Sequence, residues 1–260
     1  MCLRNRGKGS DSSHELFVSA SLTWREIWKF EMYALHTLVC VLERTRGIDM
    51  KLLYGTGNPA KLESMRRRLS GLDLDIIGLT DMGEAPPDVP EDGSTPLENA
   101  RQKALAYFRA YGRPVFSCDS GLYFEGVPEE VQPGVHVRTV GGKHLTDDEM
   151  RAYYAGLAEK YGDLRARYKN AICLVLDGEH VFERMDASLE SVPFLITAKP
   201  YADIRHRGFP LDSLSKDMET GKYFYEMDGE RAERGAVQDG FLKFFRDVLA
   251  KETLIKSVFP

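Results

Sequence analysis

The residues best suited to chemistry begin in the stretch Lys51-Leu-Leu-Tyr54-Gly55-Thr56-Gly57-Asn58-Pro59-Ala60-Lys61. A short apolar run ends there in two glycines around a hydroxyl, and Leu62, Met65 and Leu69 then follow at helical spacing. The pattern predicts a strand, a turn and a helix. Glycines let backbone N–H groups approach an anion without an intervening Cβ, and the helix N-terminus adds partial positive charge where a phosphate would sit. Thr56, Gly57 and Asn58 line the turn, and Lys61 stands near enough to the helix start to reach back to the same phosphates. The turn is neither the Gly-Lys-Ser/Thr phosphate loop nor the three-glycine dinucleotide fingerprint. A plain strand-to-helix connection without a ligand fits these residues as well, so partners elsewhere in the chain must decide.

Two later stretches offer such partners. Pro114-Val-Phe-Ser-Cys118-Asp119-Ser120-Gly121-Leu-Tyr-Phe124 is an apolar run broken by a carboxylate and hydroxyls and then resumed. A buried, unpaired charge is costly, so the break points to a site at a strand end or bulge, and Asp119 is the best catalytic candidate by position. An Asx-turn opening a hairpin is the competing role for the same residue. In Ser94-Thr-Pro-Leu-Glu98-Asn-Ala-Arg-Gln-Lys103-Ala, Thr95 as N-cap, Pro96 at the first helical position and Glu98 make a strong helix start. Leu97, Ala100, Ala104, Phe108 and Tyr111 share one face, with Lys103 at its edge, either solvated or directed into a cleft.

The elements that must position these groups follow from periodicity. Residues 72 to 79 form a strand candidate, residues 80 to 92 an acidic, proline-rich loop, and residues 132 to 138 a second loop. Thr146-Asp-Asp-Glu149 opens a helix through about Lys160. Residues 171 to 176 and 180 to 185 form a hairpin around Asp177-Gly178, and residues 189 to 198 one more strand. Residues 200 to 228 read as irregular and residues 237 to 249 as a terminal amphipathic helix. Strands and helices in this order, with an internal hairpin, predict an α/β fold with a mixed sheet.

At 260 residues and 43% hydrophobic content the chain can bury a sizeable core. A formal net charge of -5 with no basic stripe argues against a nucleic-acid polymer as partner. Cys2, Cys40, Cys118 and Cys173 are widely spaced, supporting neither a zinc site nor a disulfide framework, and a reduced, cytoplasmic setting is expected. No apolar run is long enough to span a membrane. His136 and His206 lie in loops without partner spacing and read as surface residues. Residues 1 to 49 differ from the rest: residues 2 to 13 are polar, basic and read as disordered, and Trp24, Ile27, Trp28, Leu35 and Leu38 keep rough helical spacing. They are expected to be a dispensable extension or a partner-binding helix, with the functional domain at 50 to 252 and a tail at 253 to 260.

In this order and near this spacing, Thr56-Gly-Asn-Pro-Ala-Lys61, Leu97-Glu-Asn-Ala-Arg-Gln-Lys103-Ala, Asp119-Ser-Gly-Leu122 and Pro133-Gly-Val135 resemble the non-standard purine nucleoside triphosphate pyrophosphatases, the inosine triphosphatase-like family. The resemblance implies a two-lobed α/β fold with a long mixed sheet, an active site in the cleft between lobes, and a homodimer. The activity it implies is Mg²⁺-dependent hydrolysis of inosine, deoxyinosine or xanthosine triphosphates to the monophosphate and pyrophosphate. On it, Thr56, Gly57, Asn58, Lys61, Lys103 and Ser120 match substrate-binding positions. Glu91 and Asp119 match the metal-binding acids, and Asp119 also matches the general base. The chemistry agrees, because a highly anionic triphosphate calls for cationic clamps, a metal and a group that activates water.

Departures are equally specific. The family commonly has two acids before the Ser-Gly, and here the first is Cys118. Its Phe-Gly-Tyr-Asp segment is echoed by Phe209-Pro-Leu-Asp212, and its Ser-His-Arg is reduced to Ala232-Glu-Arg234, leaving Phe209, Asp212 and Arg234 as the candidate base-reading residues. Altered base preference and a non-catalytic nucleotide sensor are therefore the competing readings. A chain beginning at Met50 is expected to fold, dimerise and turn over like the full sequence. Aggregation, or a large fall in melting temperature, would place Trp24 and Trp28 in the core.

Overall fold

The structure, a computed structural model, describes residues 50–202, 209–227 and 236–258. Its strands and helices in chain order are β1 (Met50–Tyr54), α1 (Pro59–Arg68), β2 (Leu74–Gly78), α2 (Pro96–Tyr111), β3 (Val115–Phe124), β4 (Thr139–Val140), β5 (Lys143–His144), α3 (Asp147–Tyr161), β6 (Leu164–Val175), β7 (Val181–Arg184), β8 (Phe194–Ile196), β9 (Ser215–Asp217) and α4 (Ala236–Val258). The main sheet runs β2-β1-β3-β6-β8-β9, with β7 also on β6. β1 is parallel to β2 and β3, and the remaining pairs are antiparallel, so the sheet is mixed and flanked by helices, as expected.

Two long strands form its spine. β3 and β6 pair without interruption from Val115↔Val175 to Phe124↔Ala166. The far edge of β6 is shared: β7 takes Ile172 to Val175, and β8 takes Leu164 to Ala166. The sheet therefore has two halves, each with its own core. In the first half, strand alternation sends Phe116, Ile172 and Leu174 to one face, against Leu62 and Met65 of α1 and Phe241, Phe244 and Phe245 of α4. It sends Val115, Ala171 and Cys173 to the other face, against Ala100, Ala104 and Tyr107 of α2. In the second half, Leu122, Phe124, Ala166 and Phe194 pack on Met150, Tyr154 and Ala158 of α3 and on Leu211 and Phe224.

Several elements differ from the sequence expectations, each for a local reason. Asp119 lies neither at a strand end nor at a bulge but in mid-strand, in register with Ala171, because its charge is paired (below) and the strand need not stop there. β6 starts at Leu164, well before residue 171, on the alternation Leu164, Ala166, Tyr168. β8 is only three residues long, because Asp186 accepts from Ser188 N and turns residues Ala187–Leu189 into a 3₁₀ turn. The strand β9 and the 3₁₀ turns Leu79–Met82, Pro210–Ser213 and Phe224–Glu226 carry order into stretches read as loop or irregular, and β4 and β5 pair in a stretch that carried no assignment. The last helix continues to Val258, so residues 253 to 258 extend it rather than trail from it. Residues 1 to 49 lie outside the described residues.

One contact sets the seat of α4. A Cβ on Gly240 would lie 2.0 Å from the carbonyl oxygen of Ser188, in the 3₁₀ turn beneath the helix. Alanine in a helix interior gains about 1 kcal/mol over glycine, but the clash is with backbone, and overpacking costs about 1 to 3 kcal/mol. Gly240→Ala is therefore expected to destabilise the protein on balance, measured as a lower urea midpoint with an unchanged slope. A raised midpoint would mean that the helix propensity wins and the contact is loose.

Candidate functional site

The turn after β1 is pressed onto its neighbours. Gly55 N–H donates to Phe116 O at 2.8 Å, and Ser117 Oγ–H donates to Gly55 O at 3.3 Å, which seats the turn two residues before Asp119 on β3. Any Cβ at Gly55 would lie 2.2 Å from Ser117 Oγ and 2.5 Å from Tyr107 Cδ2, so only glycine allows this approach. Gly57 is different: a Cβ there would meet nothing within 4 Å, so its face of the turn opens outward. Thr56 Oγ1 accepts from Asn58 N–H at 3.2 Å, and Asn58 Oδ1 caps α1 by accepting from Ala60 and Lys61 N–H at 2.9 and 3.3 Å. Two of the helix's first donors are thereby occupied, and Lys61 is the cation the turn presents.

The second half of the site comes from α2 facing β3. Thr95 and Glu98 form the expected capping box: Glu98 N–H donates to Thr95 Oγ1, and the Glu98 carboxylate accepts from the Ser94 hydroxyl and from Ser94 and Thr95 N–H; the hydroxyl first, then the Ser94 N–H, holds its pKa below the usual range. Glu98 is thus committed to the cap. Lys103, two turns into the helix, is buried and donates to Asp119 Oδ1 and to Glu91 Oε2, both at 2.9 Å. The Lys103 and Asp119 side chains are each only 10% exposed, whereas Glu91 is 51% exposed. The stripe-edge lysine is therefore directed inward, and Asp119 is a strand carboxylate rather than an Asx-turn residue.

Electrostatics bind these groups together. Burial works against the Lys103 charge, but Asp119 and Glu91 outweigh it and hold its pKa above the ordinary lysine value. Lys61 goes the other way: burial and then the Lys103 charge lower its pKa, with Asp119 and Glu91 only partly compensating. Half-buried Lys61 makes no ion pair among the described residues, so it is a partly desolvated cation beside an acidic pair. An anion supplied from outside would relieve it. Mg²⁺ fits the donor set, because it takes one or two carboxylates and keeps several waters, and Glu91 and Asp119 already converge on one ammonium. No group of three or more His, Cys, Asp or Glu side chains converges as a metal cage among the described residues.

The remaining candidates fall in different places. Ser120 points to the face of β3 opposite Asp119, where its hydroxyl donates to Asn170 Oδ1 at 2.7 Å, so the structure does not bring it to the lysine–carboxylate group. Cys118 shares that opposite face, packed against the core beneath α1 and α4. Burial, opposed by a hydrogen bond with Tyr54, pushes its thiol up to about 12, so it stays protonated and carries no charge near neutral pH. Asp212 belongs to the 3₁₀ turn Pro210–Ser213 and Phe209 is its N-cap, both half-buried and flanking Leu211 of the second core. Arg234 lies outside the described residues. Sequence reading passed over Asn99, which is 2% exposed and donates to Asp119 Oδ2 at 3.2 Å. The only signal was an amide on the apolar side of α2, four residues before Lys103.

With this geometry in place, comparison with known proteins is specific. The profile of the Ham1 family matches residues 52–190. A dITP/XTP pyrophosphatase of Thermus thermophilus is 32% identical over 207 residues, 76% of this chain and 93% of that protein. One from Porphyromonas gingivalis is 35% identical over 135 residues, 51% of this chain and 68% of that protein. Among solved structures, the Ham1 protein of Staphylococcus aureus matches with a TM-score of 0.59 at 20% identity, over 78% of this chain and 99% of the other. A HAM1 protein of Coxiella burnetii matches with the same TM-score at 23% identity and the same coverage. At such identities the structures speak for the fold alone.

The Lys61 environment separates binding from stability. Lys61→Met keeps the apolar stem and removes a partly desolvated charge that has no ion pair among the described residues, so the melting temperature should hold or rise. Losing a charge-assisted contact worth about 1.5 to 3 kcal/mol should weaken inorganic pyrophosphate binding roughly tenfold or more. Calorimetry showing unchanged pyrophosphate affinity would remove Lys61 from the site.

Proposed function

The chain belongs to the Ham1 family, and from that premise we propose that it hydrolyses the triphosphates of inosine, deoxyinosine and xanthosine to the monophosphate and pyrophosphate in the presence of Mg²⁺. The observation that carries this reading is the meeting of a half-buried cation, Lys61, which has no ion pair among the described residues, with the Lys103–Asp119–Glu91 group beside an open glycine turn. The phosphate tail lies along the turn formed by Thr56, Gly57 and Asn58, where Lys61 and Lys103 offset its charge. Asp119 accepts a proton from water as the water oxygen bonds to the α-phosphorus. The bond from that phosphorus to the bridging oxygen breaks, and pyrophosphate leaves with the electron pair. When bound, Mg²⁺ would be held by Glu91 and Asp119 and would supply further charge stabilisation. A homodimer belongs to the same reading.

Cys118 bears on the sensor alternative. Its thiol faces away from Asp119 and is protonated, so replacing an acid there removes no group from the Lys103 cluster, and the water-activating carboxylate remains in place. Altered base preference stays within the same chemistry. A 6-oxopurine presents an acceptor where adenine presents an amino donor, and a site that donates hydrogen bonds there rejects ATP by leaving its own donors unpaired.

Pyrophosphate release from a panel of nucleoside triphosphates, with and without Mg²⁺, tests the proposal. Inosine and xanthosine triphosphates are expected to be preferred over ATP, by a margin that Arg234→Ala narrows. Asp119→Asn should lower turnover at least about a hundredfold with the fold intact. Equal specificity constants for inosine triphosphate and ATP would contradict the base assignment, and near-normal turnover by Asp119→Asn the catalytic one.

A further inference from the structure

We propose that Asn99 is a positioning residue for the hydrolysis proposed above, a two-ended strut that fixes the Asp119 carboxylate and ties the loop carrying Glu91 to it. The inference rests on that functional reading for its catalytic meaning but on geometry for the strut itself. Asn99 lies in the first turns of α2, and its side chain is used at both ends. Its Oδ1 accepts from Gly93 N–H at 2.8 Å, and its Nδ2 donates to Asp119 Oδ2 at 3.2 Å. The orientation of the amide is not arbitrary. A backbone N–H can only donate, so the oxygen must face Gly93 and the nitrogen must face the carboxylate.

The arrangement divides the carboxylate between two helix residues. Asn99 and Lys103 are four apart and so share one face of α2. Asn99 holds Oδ2 while Lys103 holds Oδ1. With one partner on each oxygen the carboxylate cannot turn about its Cβ–Cγ bond without losing a buried hydrogen bond, and its remaining lone pairs keep one aim. The other end of the strut acts on the loop. Gly93 is two residues after Glu91, and a Cβ on it would lie 2.7 Å from Asn99 Oδ1 and 2.7 Å from Glu98 Cβ, so the backbone approaches the amide as closely as glycine allows. The two acids that converge on Lys103 are thus also joined through one amide. Partners at this distance from a reacting group commonly account for about 10- to 100-fold in metal affinity or activity.

The test uses the full chain with Asn99→Ser, whose side chain reaches neither partner, and Gly93→Ala, which keeps the Asn99 amide but presses a methyl group between it and the loop. For each, melting temperature, hydrogen exchange of residues 91–95, Mn²⁺ binding by electron paramagnetic resonance without nucleotide, and kcat and KM for inosine triphosphate are measured. Expected for both variants are faster exchange at Gly93, Mn²⁺ affinity lower by about tenfold, and kcat lower by about 10- to 100-fold with KM within about threefold. A residue that only stabilises the fold would lower the melting temperature yet leave kcat and Mn²⁺ affinity of the folded protein unchanged, and that result overturns the proposal. Should Asn99→Ser fail to fold, Gly93→Ala carries the same decision alone. A wild-type protein that releases no pyrophosphate from any triphosphate would overturn the functional reading. Mn²⁺ affinity and exchange would then still decide whether Asn99 holds the two acids together.

Discussion

Burying the Asp119 carboxylate in the middle of a ten-residue strand is the constraint on which the surrounding arrangement depends. A lone charge there would cost several kcal/mol, so the strand could not continue through it without a partner. Lys103 supplies the opposite charge, but only because α2 lies across that face of the sheet with Ala100 and Ala104 close to β3 and β6. Small residues let the helix sit near the strands, and its capping box at Thr95 fixes where its first turn begins and hence where Lys103 ends up. A removed Lys103 would leave two acids on one site without their directly bonded cation, so this pair is more a device for placing charge than a source of stability.

The same constraint explains how the sheet is divided. The sequence of β3 is apolar, then polar, then apolar, and each apolar end packs in a different half of the sheet: Val115 and Phe116, on opposite faces, in one, and Leu122 and Phe124 in the other. The polar centre falls between them. Ser117 and Asp119 face α2 and the turn, while Cys118 and Ser120 face the other way, so strand alternation sorts chemistry from packing residue by residue.

That sorting marks where sequence reading succeeds and where it stops. The Thr95 cap, the Asp147–Tyr161 helix and the strand–turn–helix at residues 50 to 68 were legible because their signals are local: caps, a proline, periodic apolar residues. The continuity of β3 through Asp119 was not legible, because what permits it is an ammonium 16 residues earlier in the chain. Asn99 was invisible for a related reason, since an amide inside a helix declares nothing about what lies across the gap. Ser120 shows the converse. Neighbouring a carboxylate in sequence places a strand residue on the opposite face, so adjacency in the motif does not carry over to adjacency in the site.

The two glycines of the turn after β1 are alike in spelling but not in surroundings. Gly55 is small because Ser117 and Tyr107 occupy the space a side chain would need, whereas the surroundings of Gly57 would admit one freely. The first is a record of how the protein is built, and the second, on the proposed function, of what is to arrive from outside. An alignment that weighs them equally mixes an architectural signature with a ligand signature. On the proposed function, damage at position 55 would register as loss of soluble protein, and damage at position 57 as a well-folded protein that has gone quiet.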